Sequence, residues 1–326
     1  MSTPVVTLTL NPAIDQTVTL DALTPGAVHR AAGVRHDAGG KGVNVASCLA
    51  DWGVPVAAAG LLGADNAAPF TALFAAKGIA DHFLRVAGET RTNIKLVDRR
   101  AGDTTDINLP GLRPGPAALA AVEAALDGLV GDGTVAVLAG SVPDGLDPGA
   151  YARLIPRLAA RGARVVLDTS GVPLARALAG EMPFCVKPNR HELEVWAGRR
   201  LTDRADLLGV ARRLNAAGVG LVAVSLGAEG ALFVTDREAL HAGALEVTGG
   251  SSVGAGDAMV AGLVAGLHDA LPLGALARRA TAFAVAKLGR PGPHLPERTT
   301  VESIAAAVAV TPAEGWAAAA STPAPI

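Results

Sequence analysis

The sequence predicts an α/β protein: a doubly wound, mainly parallel sheet with helices on both faces and a small β-sheet lid. Three observations predict it. Short runs of Val, Leu and Ile alternate with Ala-rich amphipathic stretches along most of the 326 residues. Half the residues are hydrophobic but only 3% are aromatic, a composition that suits helices packed on a Val-rich sheet. Two segments, 16–37 and 90–108, interrupt the alternation with short, polar-alternating runs.

Buried strands are expected at 5–10, 54–60, 134–139, 163–167, 184–186 and 220–224. Helices are expected between them at 43–52, 67–77, 116–129, 148–161 and 207–217. Pro148 after Asp147 marks a helix start, and Gly78, Gly162 and Gly218 stand where helices should stop. Within the two interruptions, 17–20, 28–36, 92–97 and 104–107 read as strands of a second small sheet. Inserted between βα units, that sheet would cover the ligand edge of the main one. The alternative is a pair of surface hairpins without a role. One domain is expected over 1–312, with lid segments near 16–37 and 90–108, followed by a loosely ordered tail over 313–326.

Composition removes several classes of function. Lys plus Arg number 28 against 30 for Asp plus Glu, so no basic excess exists to bind nucleic acid, and few aromatics exist to stack bases. The longest stretch without a charged side chain, 214–228, is shorter than the ~18 residues of a membrane span. The first ten residues lack a basic n-region and a cleavage signal. Cys48 and Cys185 are far apart in apolar surroundings and read as small core residues. The expectation is a cytoplasmic protein with small-molecule partners, no nucleic acid and no membrane.

Several strings carry chemistry. The run from Gly249 through Gly254, Ala255, Gly256 and Asp257 is a glycine-rich turn feeding an apolar helix. Free N–H groups of a first turn, with the helix dipole, form an anion site. A carboxylate there makes sense as a base beside a phosphoryl group in transfer, or as an N-cap. A second glycine-rich helix start, 36–44, holds Gly39, Gly40, Lys41 and Asn44 but fails the P-loop spacing; it suits a polyhydroxylated anion or is an ordinary loop. Asp15 follows the first strand, where a carboxylate can accept sugar hydroxyls or simply serve a turn. Arg91, Asn93 and Lys95 share one face of a strand, either for a phosphate or as a solvated edge, and Asn108 can join that face. Lys187, Asn189 and Glu192 precede a helix. Glu192 can serve a metal through water or close a capping box with Asn189, and both can hold together. Ser225, Leu226, Gly227, Ala228, Glu229 and Gly230 form a turn after an apolar strand, suited to bordering a nucleotide.

In this order the strings resemble the PfkB/ribokinase family of sugar kinases, over roughly residues 3–310. Within it the chain is most similar to the 1-phosphofructokinases, through 7–15, Gly-Gly-Lys-Gly42, 90–95, 105–108 and Ala139-Gly-Ser-Val-Pro143. Leu109-Pro-Gly111 departs from the more polar stretch of many relatives. The resemblance implies a ribokinase-like fold, ATP with Mg2+, and phosphoryl transfer to the C6 hydroxyl of fructose 1-phosphate. It implies a homodimer through the lids. It further implies that Asp257 is the base and that Gly254, Ala255 and Gly256 form the anion hole. Asp15 and Asn44 would hold sugar hydroxyls, Gly39 and Gly40 would let the substrate approach closely, and Lys41 and Arg91, with Arg30, would hold the C1 phosphate. Asn93, Asn108 and Ser141 would add sugar contacts. ATP would lie on Lys187, Asn189, residues 225–230 and Gly256, with Glu192 on the metal side. The rivals are kinases of tagatose 6-phosphate or fructose 6-phosphate, a sugar-phosphate sensor without turnover, and a nicotinamide dehydrogenase. No GxGxxG follows the first strand, which counts against the last.

Overall fold

Apolar runs such as Val5–Thr9 and Val135–Ala139 are buried end to end, which a strand requires when helices cover both of its faces. The computed structural model describes residues 4–245, 253–290 and 292–318. In chain order the first elements are β1 (Val5–Thr9), β2 (Ala13–Leu20), β3 (Gly33–Gly39), α1 (Lys41–Trp52), β4 (Ala57–Gly63), α2 (Ala68–Lys77) and β5 (Ala80–Val86). Next come β6 (Thr92–Asp98), β7 (Asp103–Asn108), α3 (Pro116–Leu129), β8 (Val135–Ala139), α4 (Ala150–Ala159), β9 (Arg164–Asp168), α5 (Gly171–Ala177), β10 (Cys185–Val186) and α6 (Arg190–Ala197). Then follow α7 (Arg204–Ala216), β11 (Leu221–Ser225), β12 (Ala231–Val234), β13 (Ala239–Ala242), α8 (Ala255–His268), α9 (Leu273–Lys287), α10 (Arg298–Ala307), β14 (Val310–Pro312) and α11 (Ala313–Ala318).

The main sheet has ten strands in the order β14-β13-β12-β11-β10-β9-β8-β1-β4-β5. From β5 to β11 every pairing is parallel, and β12, β13 and β14 close the edge antiparallel. The chain leaves β1 toward β4 on one side and returns to β8 on the other. Open α/β sheets bind ligands at such a reversal, outside the carboxyl ends of the strands. One face is packed by α1, α2, α8, α9 and α10, and the other by α3, α4, α5, α7 and α11. From Asp257 to Leu267 every residue of α8 is buried, so its apolar character extends all round. Gly262 allows the close contact with α9: a Cβ there would stand 2.8 Å from the Ala280 Cα.

The four polar strands form a separate sheet, β3-β2-β6-β7, with β2 and β6 parallel at its centre. Its strand β3 begins only at Gly33; 21–32 is an irregular connection, where 28–36 was expected to be a strand. Four strands of the main sheet escaped the sequence reading. β5, Ala-Asp-His-Phe-Leu-Arg-Val, is too polar for a buried strand because it lies at the sheet edge, and β12, β13 and β14 have at most four residues each. The tail expected from 313 begins instead as α11, with Ala313 and Trp316 buried. Trp316 stacks on His241 at 4.6 Å between ring centroids. Residues 319–326 lie outside the described residues. Both cysteines are free and buried. Among the described residues no helix is long and apolar enough to cross a membrane.

Gly60 on β4 has φ +144°, and a Cβ there would stand 1.9 Å from the Thr9 carbonyl oxygen of β1. Gly60→Ala is therefore expected to cost about 3 kcal/mol or to prevent folding. Urea denaturation of the variant checks it, and a stability equal to wild type would contradict the β1–β4 contact.

Candidate active site

The N-cap of α8 is Gly254, in the left-handed conformation at φ +79°. The cap position is thus filled by a glycine, and Asp257 stands three residues further in. Its carboxylate accepts instead from Asn44 Nδ2 at 2.7 Å. The N–H groups of the first turn remain for an anion. Asp257 is 8% exposed, and burial, followed by the charge of Asp168, raises its pKa to about 6. Lys41, Asn44 and Lys187 oppose that rise. Residues 249–252 of the glycine-rich string lie outside the described residues.

Gly40 caps α1 at φ +114°, and a Cβ on it would meet the Pro12 Cα at 2.9 Å. Gly39 lies under Asp15, whose Oδ2 would be 3.0 Å from a Cβ there. These close approaches explain the glycines and bring the start of α1 against the end of β1. Asn44, one turn into α1, then reaches Asp257. Lys41 turns elsewhere. Its ammonium is 3.2 Å from Asp168 Oδ1, and it feels the charges of Asp168, Asp257 and Glu192. The expectation set it beside the sugar phosphate; here it pairs with the buried carboxylate of Asp168, which it shares with Lys187.

Asp168 is the residue that the sequence reading missed. It ends β9, is 1% exposed, and shares one oxygen between Lys41 and Lys187, the latter at 3.4 Å. Burial raises its pKa, but Lys187 and then Lys41 outweigh burial and hold it below the ordinary value. Its other oxygen is buried and has no hydrogen-bond partner among the described residues. The signal was present: Arg-Val-Val-Leu-Asp is an apolar strand ending in a carboxylate, the same pattern that drew attention to Asp15.

The lid supplies the facing wall. Asp15 lies within β2, opposite Asn93 of β6 in register, and accepts from Asn93 Nδ2 at 3.3 Å. Lys95 Nζ lies 3.8 Å from Asp15 and 3.1 Å from Asp106. Burial raises the Asp15 pKa, and Lys95 and Asn93 oppose it. A cavity of about 250 Å3 runs from Asp15, Lys95 and Thr104 of the lid to Asn44, Gly254 and Lys287. Arg91 precedes β6 and donates to the carbonyls of Asn11, Pro12 and Leu109 at 3.3–3.5 Å, while its charge interacts with that of Asp15. Ser141 accepts from Asn11 Nδ2 at 3.0 Å, joining the loops after β1 and β8. Asn108 pairs with Asn93 across the strands but is exposed, and Arg30 is exposed in the 21–32 connection.

On the other side of Asp168 the capping box is complete. Asn189 Oδ1 accepts from Glu192 N at 2.8 Å and Glu192 Oε2 from Asn189 N at 2.9 Å. The turn Gly227–Glu229 lies alongside, because Ser225 N donates to the Pro188 carbonyl at 3.0 Å. Glu229 is occupied by Arg204 at 2.9 Å and Arg190 at 3.6 Å, which leaves the backbone of 225–230, rather than that carboxylate, to meet a ligand. Among the described residues no three of His, Cys, Asp and Glu gather as a metal cage. A hard divalent cation brought in on phosphates needs only one or two carboxylates. The unpartnered oxygen of Asp168 and the Glu192 oxygen outside the capping box fit that need.

Comparison with known proteins gives three findings. A family model described as pfkB family carbohydrate kinase matches residues 8–300. A 1-phosphofructokinase of Xanthomonas campestris pv. campestris is 56% identical over 292 residues, 88% of this chain and 92% of that protein; one from Escherichia coli K12 is 36% identical over 96% of this chain and 99% of its own. Among solved structures, Escherichia coli phosphofructokinase-2 in complex with substrates and products superposes with a TM-score of 0.89 at 27% identity, covering 93% of this chain and 99% of that one.

Removing Asp168 would leave the 5%-exposed Lys187 without its counter-charge. Asp168→Ala is expected to lower stability by about 3–5 kcal/mol, as breaking a buried pair does. Urea denaturation at pH 7 reads this, and a loss below about 1 kcal/mol would show the pair to be solvated.

Proposed function

The chain belongs to the pfkB family of carbohydrate kinases, and from that premise we infer that it phosphorylates fructose 1-phosphate with ATP, giving fructose 1,6-bisphosphate and ADP. It is a phosphotransferase with an alcohol group as acceptor. The observation that carries the mechanism is the carboxylate of Asp257. It is buried, has a pKa raised to about 6, and stands in the first turn of α8 beside free N–H groups. A base works best with a pKa near the working pH, and at pH 7 this carboxylate is ionised yet more basic than an ordinary aspartate.

The reaction follows from charge and placement. The sugar binds between lid and sheet, with Asp15 and Asn44 on its hydroxyls and Arg91 at its C1 phosphate. Anchoring that phosphate at one end leaves the C6 hydroxyl to reach Asp257 at the other. Asp257 takes the hydroxyl proton as the oxygen attacks the γ-phosphorus in line. The amides of Gly254, Ala255 and Gly256 hold the negative charge spread over the transferring group. Lys41, drawn to Asp168, serves that same group rather than the sugar phosphate. Lys187, Asn189 and the backbone of 225–230 hold the nucleotide. Asp168 and Glu192 would hold Mg2+, which when bound with ATP neutralises charge on the phosphates. Lid closure excludes water from the transfer.

A homodimer through the lids fits the side chains left exposed there: Val34 at 53% and Ile107 at 43%. Two free, buried cysteines suit a reducing, cytoplasmic setting.

Turnover of ATP with fructose 1-phosphate, tagatose 6-phosphate and fructose 6-phosphate tests the assignment, with Asp257→Asn as control. Fructose 1-phosphate is expected to give the highest kcat/KM, because a misplaced hydroxyl leaves buried polar groups unpaired at about 1–3 kcal/mol each. Asp257→Asn is expected to lose about 10²- to 10⁴-fold in kcat with both substrates still bound. A preference for either 6-phosphosugar would overturn the substrate, and near wild-type kcat in the variant would overturn the base.

A further inference from the structure

Two buried lysines flank the first turn of α8. Lys187 stands on one side, its ammonium 3.6 Å from where a Cβ on Gly256 would lie. Lys287, at the end of α9, stands on the other. Its Cε and Nζ are 3.2 and 3.8 Å from the corresponding point on Gly254. Both side chains are nearly inaccessible: Lys187 is 5% exposed and Lys287 4%.

The two differ in how their charges are met. Lys187 has Asp168 at 3.4 Å. Among the described residues Lys287 has no carboxylate within salt-bridge distance, and its ammonium donates to the main-chain carbonyl of Arg290. A lysine in the last turn of a helix commonly serves the dipole while its head stays in water. Burial removes that explanation here. An ammonium carries three protons, and one carbonyl does not offset the cost of a buried charge. Asp257 and Asp37 act on the ammonium only from beyond salt-bridge distance, and Arg35 opposes them; it borders the cavity lined by Asn44 and Gly254, and the free amides of α8 border that same space. An anion is the missing partner.

We propose that Lys287 is a further catalytic residue whose ammonium donates to an oxygen of the phosphoryl group in transfer, on the Gly254 side and opposite Lys187. This rests on the kinase reading of the site given above. Lys287 forms no covalent bond and gives up no proton. Charge develops over three equatorial oxygens as the phosphoryl group leaves ADP and meets the C6 oxygen. A donor fixed beside them interacts more strongly with the transition state than with bound ATP, and so acts on kcat rather than on KM. Neither Lys41 at the start of α1 nor Lys187 just after β10 offers its charge on that flank, since both are turned to Asp168.

The test runs wild type beside Lys287→Met and Lys287→Gln with ATP and fructose 1-phosphate. The glutamine keeps a donor for the Arg290 carbonyl and removes only the charge, which protects against a folding defect. Both variants are expected to lose about 10- to 150-fold in kcat, the worth of one charge-assisted hydrogen bond. KM for both substrates should stay within about threefold, because the lost contact is made only in transfer. The complex with ADP, fructose 1-phosphate and aluminium fluoride, a mimic of the transferring group, should weaken by the same factor while Kd for ATP alone holds. Wild-type kcat in the variants would overturn the proposal. So would a raised KM for the sugar phosphate at unchanged kcat, or a loss of kcat with full affinity for the aluminium fluoride complex. Absence of turnover in the wild type would instead remove the kinase reading itself.

Discussion

Two carboxylates and two lysines share the carboxyl edge of the sheet, and their balance constrains everything around them. Asp168 is surrounded by Lys41 and Lys187 and stays ionised despite full burial. Asp257 has no direct cation within salt-bridge distance among the described residues, accepts from a neutral amide, and feels the negative charge of Asp168. The same dry environment therefore pushes the two acids in opposite directions. One stays ionised beside two cations, and the other has its pKa raised toward neutrality. Pairs of titratable groups whose surroundings separate their pKa values are what acid–base chemistry requires.

The fold places these groups by a few close approaches. β1 ends beneath the start of α1, where Gly39 and Gly40 leave no room for side chains, and this sets Asn44 against Asp257. α8 is buried on all sides from Asp257 to Leu267, and its half-buried first turn opens on the crevice with its N–H groups free. Across the crevice the central lid strands bring Asp15, Asn93 and Lys95 into one register. A wall of main-sheet loops and a wall of lid strands thus meet over one cavity, lined by Gly254 and by Asn44, which donates to Asp257.

Much of this was legible in the sequence, and the failures have physical causes. Alternation of apolar runs revealed the parallel core and its flanking helices, and period-two polarity revealed β6 and β7 closely and the second half of β2. β5 and the short antiparallel edge were missed because edge strands need not be apolar. Glycine-rich strings marked the starts of α1 and α8. The capping box and the metal-side reading of Asn189 and Glu192 turned out to be compatible, since one Glu192 oxygen closes the cap. Lys41 could not be placed from sequence, because its direction depends on Asp168, 127 residues away. Lys287 reads in sequence as an ordinary helix-end lysine, and only burial distinguishes it.

The central claim is that Asp257 is a carboxylate held near neutrality by burial and by Asp168. Infrared difference spectroscopy of its carboxyl stretch reads this directly, with wild type titrated in D2O against Asp257→Asn to isolate the signal. A midpoint near pH 6 is expected, with the band lost as the pH rises through it, because the raised pKa keeps the acid protonated below that point. A midpoint near 4, the ordinary aspartate value, would contradict the claim.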